Sequence, residues 1–312
     1  MQVSRIEIPT PFPVGPVNAY LLDGDPLTLV DTGPKGAASQ AAIESTLAAA
    51  GRGIADIRRI VLTHGHTDHF GQAESIRQQS GAEVFAHPTE RPKLTGERWV
   101  ADHLVTFFRE AGMPESFFPA FSQMVSAYRV FFDPLPAATA LSDGDTLPLG
   151  DERLRVLHCP GHSQGHLCFY HDDGVLIAGD LLLEEVSPNP IVEFSPDGQR
   201  QTTLPQYLHS LRRVLLLNCD LAYPGHGDPI TNPGGRIREL IAHHEQRKEE
   251  IAARLSTTPK TLVALTHDLY QGLDDLNLML ALSEVIGHLD LLAEEKRLVV
   301  SRRGGKLLYR GK

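Results

Sequence analysis

Residues 63 to 72, THGHTDHFGQ, hold a high density of potential metal ligands in a chain of 312 residues with 15 histidines. Within six positions lie three histidines and one aspartate: His64, His66, Asp68 and His69. Imidazole nitrogens and carboxylate oxygens are ligands that Zn²⁺ binds at about 2.0–2.2 Å. An exposed polar loop accounts for a lone pair of histidines, but this His-x-His-x-Asp-His pattern favours a metal site.

Three later segments offer further ligands, each after a short apolar run: His162 in CPGHSQGH, Asp180 in AGDLL and His226 in YPGHGDP. The Pro-Gly pair before His162 and before His226 predicts a tight turn, which presents an imidazole without bulky neighbours. Because active-site residues gather on loops at strand ends, we expect these side chains to meet the histidine cluster.

Short β-branched runs bounded by turn residues predict the strands that would position these ligands. RRIVLTH (58–64) predicts the strand leading into the cluster, and FGQAESIRQQSG (70–81) predicts the helix that follows it. Further strands are predicted at the later ligand segments: 154–160, 166–173, 175–180 and 221–227. Strands that alternate with helices indicate an α/β protein.

Over residues 1 to about 233 the chain resembles the metallo-β-lactamase superfamily, with five motifs in order: LVDTG, THGHTDH, CPGHSQGH, AGDLL and YPGHGDP. The resemblance implies a four-layer αβ/βα sandwich, with glyoxalase II-like and lactonase-like hydrolases as the nearest branch. It places one metal ion on His64, His66 and His162, and a second on Asp68, His69 and His226. Asp180 would bridge both ions.

Two more residues are predicted to brace the ligands. The resemblance gives this role to Asp31 in LVDTG, beneath the first metal loop. His166 follows His162 by four positions, and bracing its own loop is favoured for it over binding metal.

The ligand types narrow the metal. Flavodiiron proteins of the superfamily have glutamate where His66 stands, and its β-lactamases have cysteine where Asp180 stands. The match is therefore to dinuclear hydrolases, usually with zinc, although iron or manganese also suits these donors. We hypothesise that a metal-bridging hydroxide attacks a carbonyl or phosphorus, with Asp68 and Asp180 as catalytic residues. Asp68 would orient the nucleophile and carry its proton.

Residues 92–133 are predicted to form a helical insertion, which contains seven of the 12 phenylalanines. These aromatic side chains could line a pocket for an acyl or aromatic group, form a small core of their own, or bury a homodimer interface. Arg98, Arg109 and Arg129 are candidates for contacting a substrate carboxylate, but solvated surface positions are favoured for all three.

Residues 234–312 are predicted to form a second, C-terminal domain of helices and a closing hairpin that carries Arg302, Arg303 and Lys306. This order resembles a winged helix, which in a nuclease would hold RNA or DNA. The segment LALSEVIGHLDLLAEEK has few basic residues, however, and phosphate contacts need many. A packing or dimerisation role is therefore favoured over nucleic-acid binding.

The bulk composition sets the remaining expectations. The net charge is −10, three cysteines form no disulfide framework, and neither a signal pattern nor a membrane-spanning apolar run is evident. We therefore expect a cytoplasmic protein that acts without a membrane partner. The favoured function is hydrolysis of a small ester, thioester or lactone. The alternatives are a phosphodiesterase or nuclease and a non-catalytic binding or regulatory protein.

Overall fold

The structure is a computed structural model that describes residues 1–97 and 99–312. Arg98, one of the candidates for a substrate carboxylate, lies outside the described residues. Arg109 forms an ion pair with Glu115 at 3.5 Å and stacks on the ring of Phe118. Arg129 donates a hydrogen bond to the Gly96 carbonyl and lies beside the cleft described below.

The first part of the chain forms a six-stranded sheet in which the strands follow chain order. Its elements are β1 (Gln2–Ile8), β2 (Val17–Asp23), β3 (Thr28–Val30), α1 (Ala37–Ala49), β4 (Arg59–Val61), α2 (Thr67–Phe70), α3 (Ala73–Ser80), β5 (Glu83–Ala86), α4 (Arg91–Leu94), α5 (Trp99–Ala111), α6 (Phe117–Tyr128) and β6 (Thr139–Ala140). From β3 to β6 the strands run parallel, and β3 and β4 are fully buried, as strands covered on both faces are.

A five-stranded sheet follows, in the order β11-β10-β9-β8-β7. Its elements are β7 (Thr146–Leu149), β8 (Glu152–His158), β9 (Leu167–His171), β10 (Val175–Gly179), α7 (Thr203–Leu215) and β11 (Leu221–Pro224). The remaining chain contains α8 (Pro233–Arg254), β12 (Lys260–Thr261), α9 (Leu262–Leu269), α10 (Asp275–Glu294), β13 (Leu298–Arg303) and β14 (Lys306–Gly311).

Three apolar clusters show that the two sheets and their helices form four layers. The inner cluster joins β2, β3 and β4 to the second sheet through residues such as Leu22, Val61 and Phe169. An outer cluster packs α1 and α3 on the first sheet, and another packs α7 and α8 on the second. The predicted four-layer αβ/βα sandwich is therefore confirmed.

The predicted helix over 70–81 corresponds to α3, which begins at Ala73 and ends before Gly81, whereas Phe70 belongs to a separate short helix, α2. Gly71 separates them. Its backbone lies so close to the Lys35 amide and the Phe131 carbonyl that a side chain would collide with both. The first of the two helices begins directly after His66, and the second ends at Gly81 in the left-handed region, as predicted.

The aromatic insertion packs against the C-terminal residues. Phe107, Phe108, Phe117 and Phe121 share one apolar cluster with α8, α9, α10, β13 and β14. The start of α8 belongs instead to the cluster on the second sheet, through Ile237 and Leu240. This helix is well defined at its N-terminus, where Asn232 accepts a hydrogen bond from the Gly235 amide and Pro233 occupies the first turn. It therefore connects the catalytic layers to the C-terminal residues.

Helix α10 is the one helix of the described chain that is long and apolar enough to cross a membrane. Much of it is buried: 56% of its apolar stretch lies inside the protein, where it packs on α7, α8 and α9. It therefore has the surroundings of a core helix. The strands β12, β14 and β13 form a small sheet beside it, an arrangement compatible with the winged helix, which stays a prediction.

Candidate metal centre

The potential metal ligands lie on four loops that follow strands β4, β8, β10 and β11. Because β3, β4 and β5 run parallel, and β10 and β11 also run parallel, these loops meet at one edge of the sandwich. Close backbone packing is needed there: a side chain at Gly225 would collide with Asp180 Oδ1 and approach the His69 ring.

His64, His66 and His162 form a first group, in which the ligand atoms lie within 4.8 Å of one another. The Nδ1 atom of His66 lies 2.8 Å from Nε2 of His64 and 3.0 Å from Nε2 of His162. These are the three residues predicted to hold the first metal ion, and the structure brings them together from two loops.

Asp68, His69 and His226 form a second group within the same 4.8 Å limit. Asp180 lies between the two groups, because its Oδ2 atom is 3.4 Å from His162 Nε2, 3.5 Å from His69 Nε2 and 3.6 Å from His226 Nε2. This is the position that the predicted bridging role requires.

Hydrogen bonds at the rear of His69, His162 and His226 fix which nitrogen of each ring faces the centre. The Nδ1 atoms of His162 and His226 donate to the carbonyls of Asn189 and Pro16, at 2.9 and 2.7 Å. His69 Nδ1 donates to Asp31 Oδ2 at 2.8 Å. A neutral imidazole that donates from Nδ1 has an unprotonated Nε2, so these rings would direct their lone pairs toward a cation that replaced the ring proton.

His64 is oriented through a hydroxyl. Thr63 Oγ1 donates to Asp31 Oδ2 at 2.7 Å and can therefore accept from His64 Nδ1, which lies 2.9 Å away. Asp31 also accepts from the Thr63 amide at 2.8 Å. It thus braces two ligands, His64 and His69, from beneath. Asp31 adopts a positive φ of 57°, a conformation that aspartate tolerates better than most residues.

The residues fit a pair of cations. His69 Nε2 and Asp180 Oδ1 are buried without a hydrogen-bond partner among the described residues, although buried polar atoms are nearly always paired. The Nε2 atom of His64 and the Nδ1 atom of His66 lie 2.8 Å apart, so one cation could bind both nitrogens. The donor set of imidazoles and carboxylates is one that divalent transition metals bind.

The acid–base properties agree with ligation. Burial, followed by the neighbouring histidines, holds the pKa of His64 well below its usual range, so that its ring is neutral and able to bind metal. Burial alone would raise the pKa of Asp180, but His69, His226 and His162 outweigh it and lower that pKa well below the usual range. The Asp180 carboxylate, which is predicted to bridge the two ions, is therefore ionised.

His166 differs from the candidate ligand histidines in the partner of its Nε2 atom. Its Nε2 atom accepts a hydrogen bond from the Asp180 backbone amide at 3.0 Å. The residue is fully buried and holds the loop that carries the bridging carboxylate. This placement corresponds to a bracing residue.

Glu90 is a bracing residue that the sequence reasoning missed. It is fully buried, and its carboxylate accepts from the amides of Gly65 and Gly165 at 2.8 and 2.6 Å and from the Ser163 hydroxyl at 3.0 Å. Lys93 Nζ neutralises it at 2.6 Å and also contacts Glu193 at 2.5 Å. Glu90 thereby connects the loop of His64 and His66 to the loop of His162. No motif signals this role, because two of its four partners are backbone amides.

A cleft of about 1020 Å³ opens over these ligands. His66, Asp68, His162, Asp180 and His226 lie at its metal end. Much of the rest is apolar and comes from the helical insertion, the loop at 12–14 and α10: Phe12, Val14, Leu104, Val105, Phe118, Phe121, Met124, Val125 and Leu280. The insertion therefore lines the cleft and packs against the C-terminal helices at the same time.

The layered fold and the converging ligands define a metal-dependent hydrolase. A family model described as the metallo-beta-lactamase superfamily matches residues 12–226. The chain therefore belongs to the metallo-β-lactamase superfamily, as the motifs indicated. This fold implies divalent metal ions at the clustered histidines and aspartates.

Full-length relatives share the C-terminal part as well. The chain is 33% identical to the probable metallo-hydrolase YqjP of Bacillus subtilis, covering 99% of this chain and 97% of that protein. It is 34% identical to the crystal structure of the metallo-beta-lactamase family protein TTHA1429 from Thermus thermophilus, with a TM-score of 0.86 over 99% and 98% of the two chains. An atrochrysone carboxyl ACP thioesterase of Aspergillus fumigatus is 26% identical over 59% of this chain and 54% of its own length.

Proposed function

We propose that the protein is a dinuclear metal-dependent hydrolase of small thioesters or esters with an apolar acyl group, lactones being the cyclic esters of this class. The observation that carries the proposal is the shared cleft, in which the metal ligands form one end and the apolar side chains of the insertion form the wall. A carbonyl at the ligands would leave its acyl chain in contact with that wall.

The surroundings of the cleft also favour an apolar substrate. Val14, Val186 and Leu280 lie along it and keep between 37% and 54% of their surface exposed. Exposed apolar side chains gathered at one site are typical of a binding surface. The thioesterase among the relatives acts on a thioester, which supports this substrate class for the present chain.

The chain's own residues would orient the reactants. When bound, two divalent ions lower the pKa of a shared water and polarise a carbonyl oxygen. Asp68 Oδ2 lies 3.5 Å from His226 Nε2, and His69 and His226 outweigh burial to lower the Asp68 pKa. Asp68 is thus an ionised carboxylate beside the cleft, suited to orient the attacking water and accept its proton. The apolar wall would keep bulk water from the reacting carbonyl.

We propose zinc as the metal, because the donor set is rich in imidazole; iron and manganese also suit these donors. Elemental analysis of the purified protein tests this, with two equivalents per chain expected. Cytoplasmic localisation and a homodimer stay predictions, the first resting on the composition and the second on the aromatic insertion.

A phosphodiesterase or nuclease is the second candidate, and the positions of the basic residues weaken it. Nucleic-acid binding by a winged helix needs an exposed basic helix, whereas every α10 residue from 281 to 290 except Glu284 is buried. Arg302 in the closing hairpin already forms an ion pair with Glu110 at 2.6 Å. These contacts support a packing role for the C-terminal residues.

A substrate panel distinguishes the candidates. Acetyl and octanoyl thioesters, p-nitrophenyl esters and lactones would be compared with bis-p-nitrophenyl phosphate and labelled RNA, using protein with its metal content measured. We expect hydrolysis of the carboxyl substrates. Preferential cleavage of the phosphodiesters would contradict the proposal, and inactivity of metal-loaded protein toward every carboxyl substrate would reject it.

The apolar wall makes a sharper test possible. Val125→Asn places a polar group of similar size in the wall, and we expect kcat/KM for the octanoyl thioester to fall about 10-fold, with little change for the acetyl thioester. Gln123→Ala, an exposed position on the same helix, is the matched control. Equal losses for both chain lengths in Val125→Asn would show that the wall does not bind the acyl chain.

A further inference from the structure

A buried pair of histidines reaches the same cleft from the side of α8 and α10. His244 and His288 are both buried, and His244 Nδ1 lies 3.3 Å from His288 Nε2. On the cleft side, His244 Nε2 lies 3.1 Å from the hydroxyl oxygen of Ser187, and Ser187 lines the cleft together with the metal ligands. On the other side, His288 Nδ1 lies 2.7 Å from the Glu284 carbonyl.

The direction of every hydrogen bond in this chain follows from its last member. A carbonyl oxygen only accepts, so His288 Nδ1 carries the proton and, in a neutral ring, His288 Nε2 is an acceptor. His244 Nδ1 must then donate to it, which leaves His244 Nε2 as the acceptor for the Ser187 hydroxyl proton. With its proton committed, Ser187 Oγ presents only lone pairs to the cleft.

The surroundings keep both rings neutral, which this direction requires. Burial, followed by the neighbouring His288, lowers the pKa of His244 to about 3. Burial also lowers the pKa of His288 to about 4. The ring of Tyr207 packs edge-on against His244 and is itself fully buried. So weak a base does not activate a serine as a nucleophile, and the hydroxyl is left with a binding role.

The neighbouring residue Asn189 also has an unpaired acceptor. Asn189 lies two residues after Ser187, lines the cleft, and accepts from the metal ligand His162 through its backbone carbonyl. Its side-chain amide donates to the Leu280 carbonyl, whereas its Oδ1 atom is buried without a donor among the described residues. A donor group that reached this stretch would find the Ser187 hydroxyl oxygen as an acceptor, with a second unpaired acceptor, Asn189 Oδ1, buried behind the surface.

We propose that Ser187 is a specificity-determining residue that accepts a hydrogen bond from an amide N–H or hydroxyl on the thiol or alcohol side of the substrate, with its polarity fixed by His244 and His288. This inference rests on the proposed function: the apolar wall takes the acyl group, and the stretch at 187–189 takes the leaving group. His244 and His288 are positioning residues, since they act on the substrate through Ser187.

Matched thioesters test the inference. One pair is the butanoyl thioester of N-acetylcysteamine and its N-methyl amide analogue; the other is the butanoyl thioester of 2-mercaptoethanol and its methyl ether. Within a pair only the donor is lost. In at least one pair, we expect the wild-type kcat/KM to be about 3- to 10-fold higher for the member with the donor, which is the gain that a single hydrogen bond provides. The pair that shows this difference tells whether the donor is the amide N–H or the hydroxyl.

Two variants make the test specific. Ser187→Ala should bring the ratio within that pair close to one by slowing only the donor-bearing substrate, while Ser301→Ala, an exposed serine of the hairpin, should leave it unchanged. His288→Leu frees His244 to change tautomer, so the ratio should also fall although Ser187 is intact. A general structural defect would slow both members equally and leave the ratio unchanged.

The outcomes separate this inference from the proposed function. Hydrolysis of all four thioesters with unchanged ratios in Ser187→Ala overturns the role of Ser187 and leaves the hydrolase proposal standing. Covalent labelling of Ser187 by a fluorophosphonate would also overturn it, because an activated nucleophile requires a basic His244. If the metal-loaded enzyme hydrolyses no thioester, the proposed function fails first.

Discussion

The protein buries histidines in two clusters that use their ring nitrogens in opposite ways. At the candidate metal centre the Nδ1 atoms of His69, His162 and His226 donate outward, to Asp31 or to backbone carbonyls, so that their Nε2 atoms converge. In the pair formed by His244 and His288, donors and acceptors alternate, and the chain ends at a carbonyl. Buried histidine alone therefore does not indicate metal. Converging lone pairs together with carboxylates do.

Carboxylates account for the electrostatic contrast. Burial lowers the pKa of His69, but Asp180, Asp68 and Asp31 outweigh it and raise that pKa well above the usual range. A site that stabilises a proton on a buried ring will also stabilise a metal cation in its place. Burial and a second histidine act on His244 without such compensation, and its pKa falls to about 3.

The prediction with the largest expected effect removes the negative charge of Asp180, the residue predicted to bridge the ions. Asp180→Asn keeps the size of the side chain but removes the carboxylate shared by the two ligand groups. We expect loss of at least one metal equivalent and a fall in kcat of about a thousandfold or more, because metal activation provides several kcal/mol. Metal content and kcat would be measured together, with the exposed Asp151→Asn as control. Unimpaired hydrolysis would refute the assignment of Asp180.

A second test concerns the brace that joins two metal loops. Glu90→Gln introduces an amide N–H₂ where the carboxylate accepts from the amides of Gly65 and Gly165, and it leaves Lys93 with one fewer anion. We expect metal affinity to fall about 10- to 100-fold, as for other residues that orient ligands. Competition with a chromogenic chelator measures this. The control is Glu44→Gln, an exposed position, which should bind metal like the wild type. Wild-type metal affinity of Glu90→Gln would show that Glu90 does not brace the ligands.

The prediction with the smallest expected effect concerns the pair His244 and His288 and the pH dependence of protein stability. A histidine whose pKa is about 4 in the folded state and about 6.5 when unfolded binds more protons unfolded, so its contribution to stability is complete above about pH 6.5 and is lost as the pH falls toward 4. Removing His288 should therefore flatten the pH dependence of the unfolding free energy by ~1 kcal/mol per pH unit in this window.

Urea titrations of His288→Leu between pH 7.5 and 5 check that slope, with the exposed His209→Gln as control. The variant should also retain two metal equivalents, since His288 belongs to the cluster without carboxylates. A slope identical to that of the wild type, or loss of metal from His288→Leu, would show that the two clusters are not the separate systems described above.

The metal centre could be predicted from the sequence because its ligand types are specific and four of its residues lie within six positions. The sandwich was likewise indicated by strands that end at each motif. Glu90 could not be predicted, since two of its four partners are backbone amides, which nearly every residue supplies. Nor could the pair of His244 and His288, which lie 44 positions apart on helices whose apolar pattern reveals only that they are buried.

The aromatic insertion was predicted as a unit, but its contacts were left open for a similar reason. Five of its seven phenylalanines form one cluster with residues from 251 to 309, and the sequence contains no local sign of such distant partners. Members of this cluster, such as Phe118 and Phe121, also line the cleft. The insertion therefore does not form a core of its own, because its core is shared with the C-terminal helices and its cleft-facing residues belong to that core. The homodimer interface stays a prediction.

Helix α8 packs against two different clusters, through Ile237 and Leu240 near its start and through Ile251 near its end. Each residue of an α-helix turns the chain by about 100°. A single inserted or deleted residue between Leu240 and Ile251 would therefore rotate His244 away from Ser187 or Ile251 out of its cluster. Among relatives, length changes should be rare within this helix and common in the loop at 255–259, which joins α8 to β12.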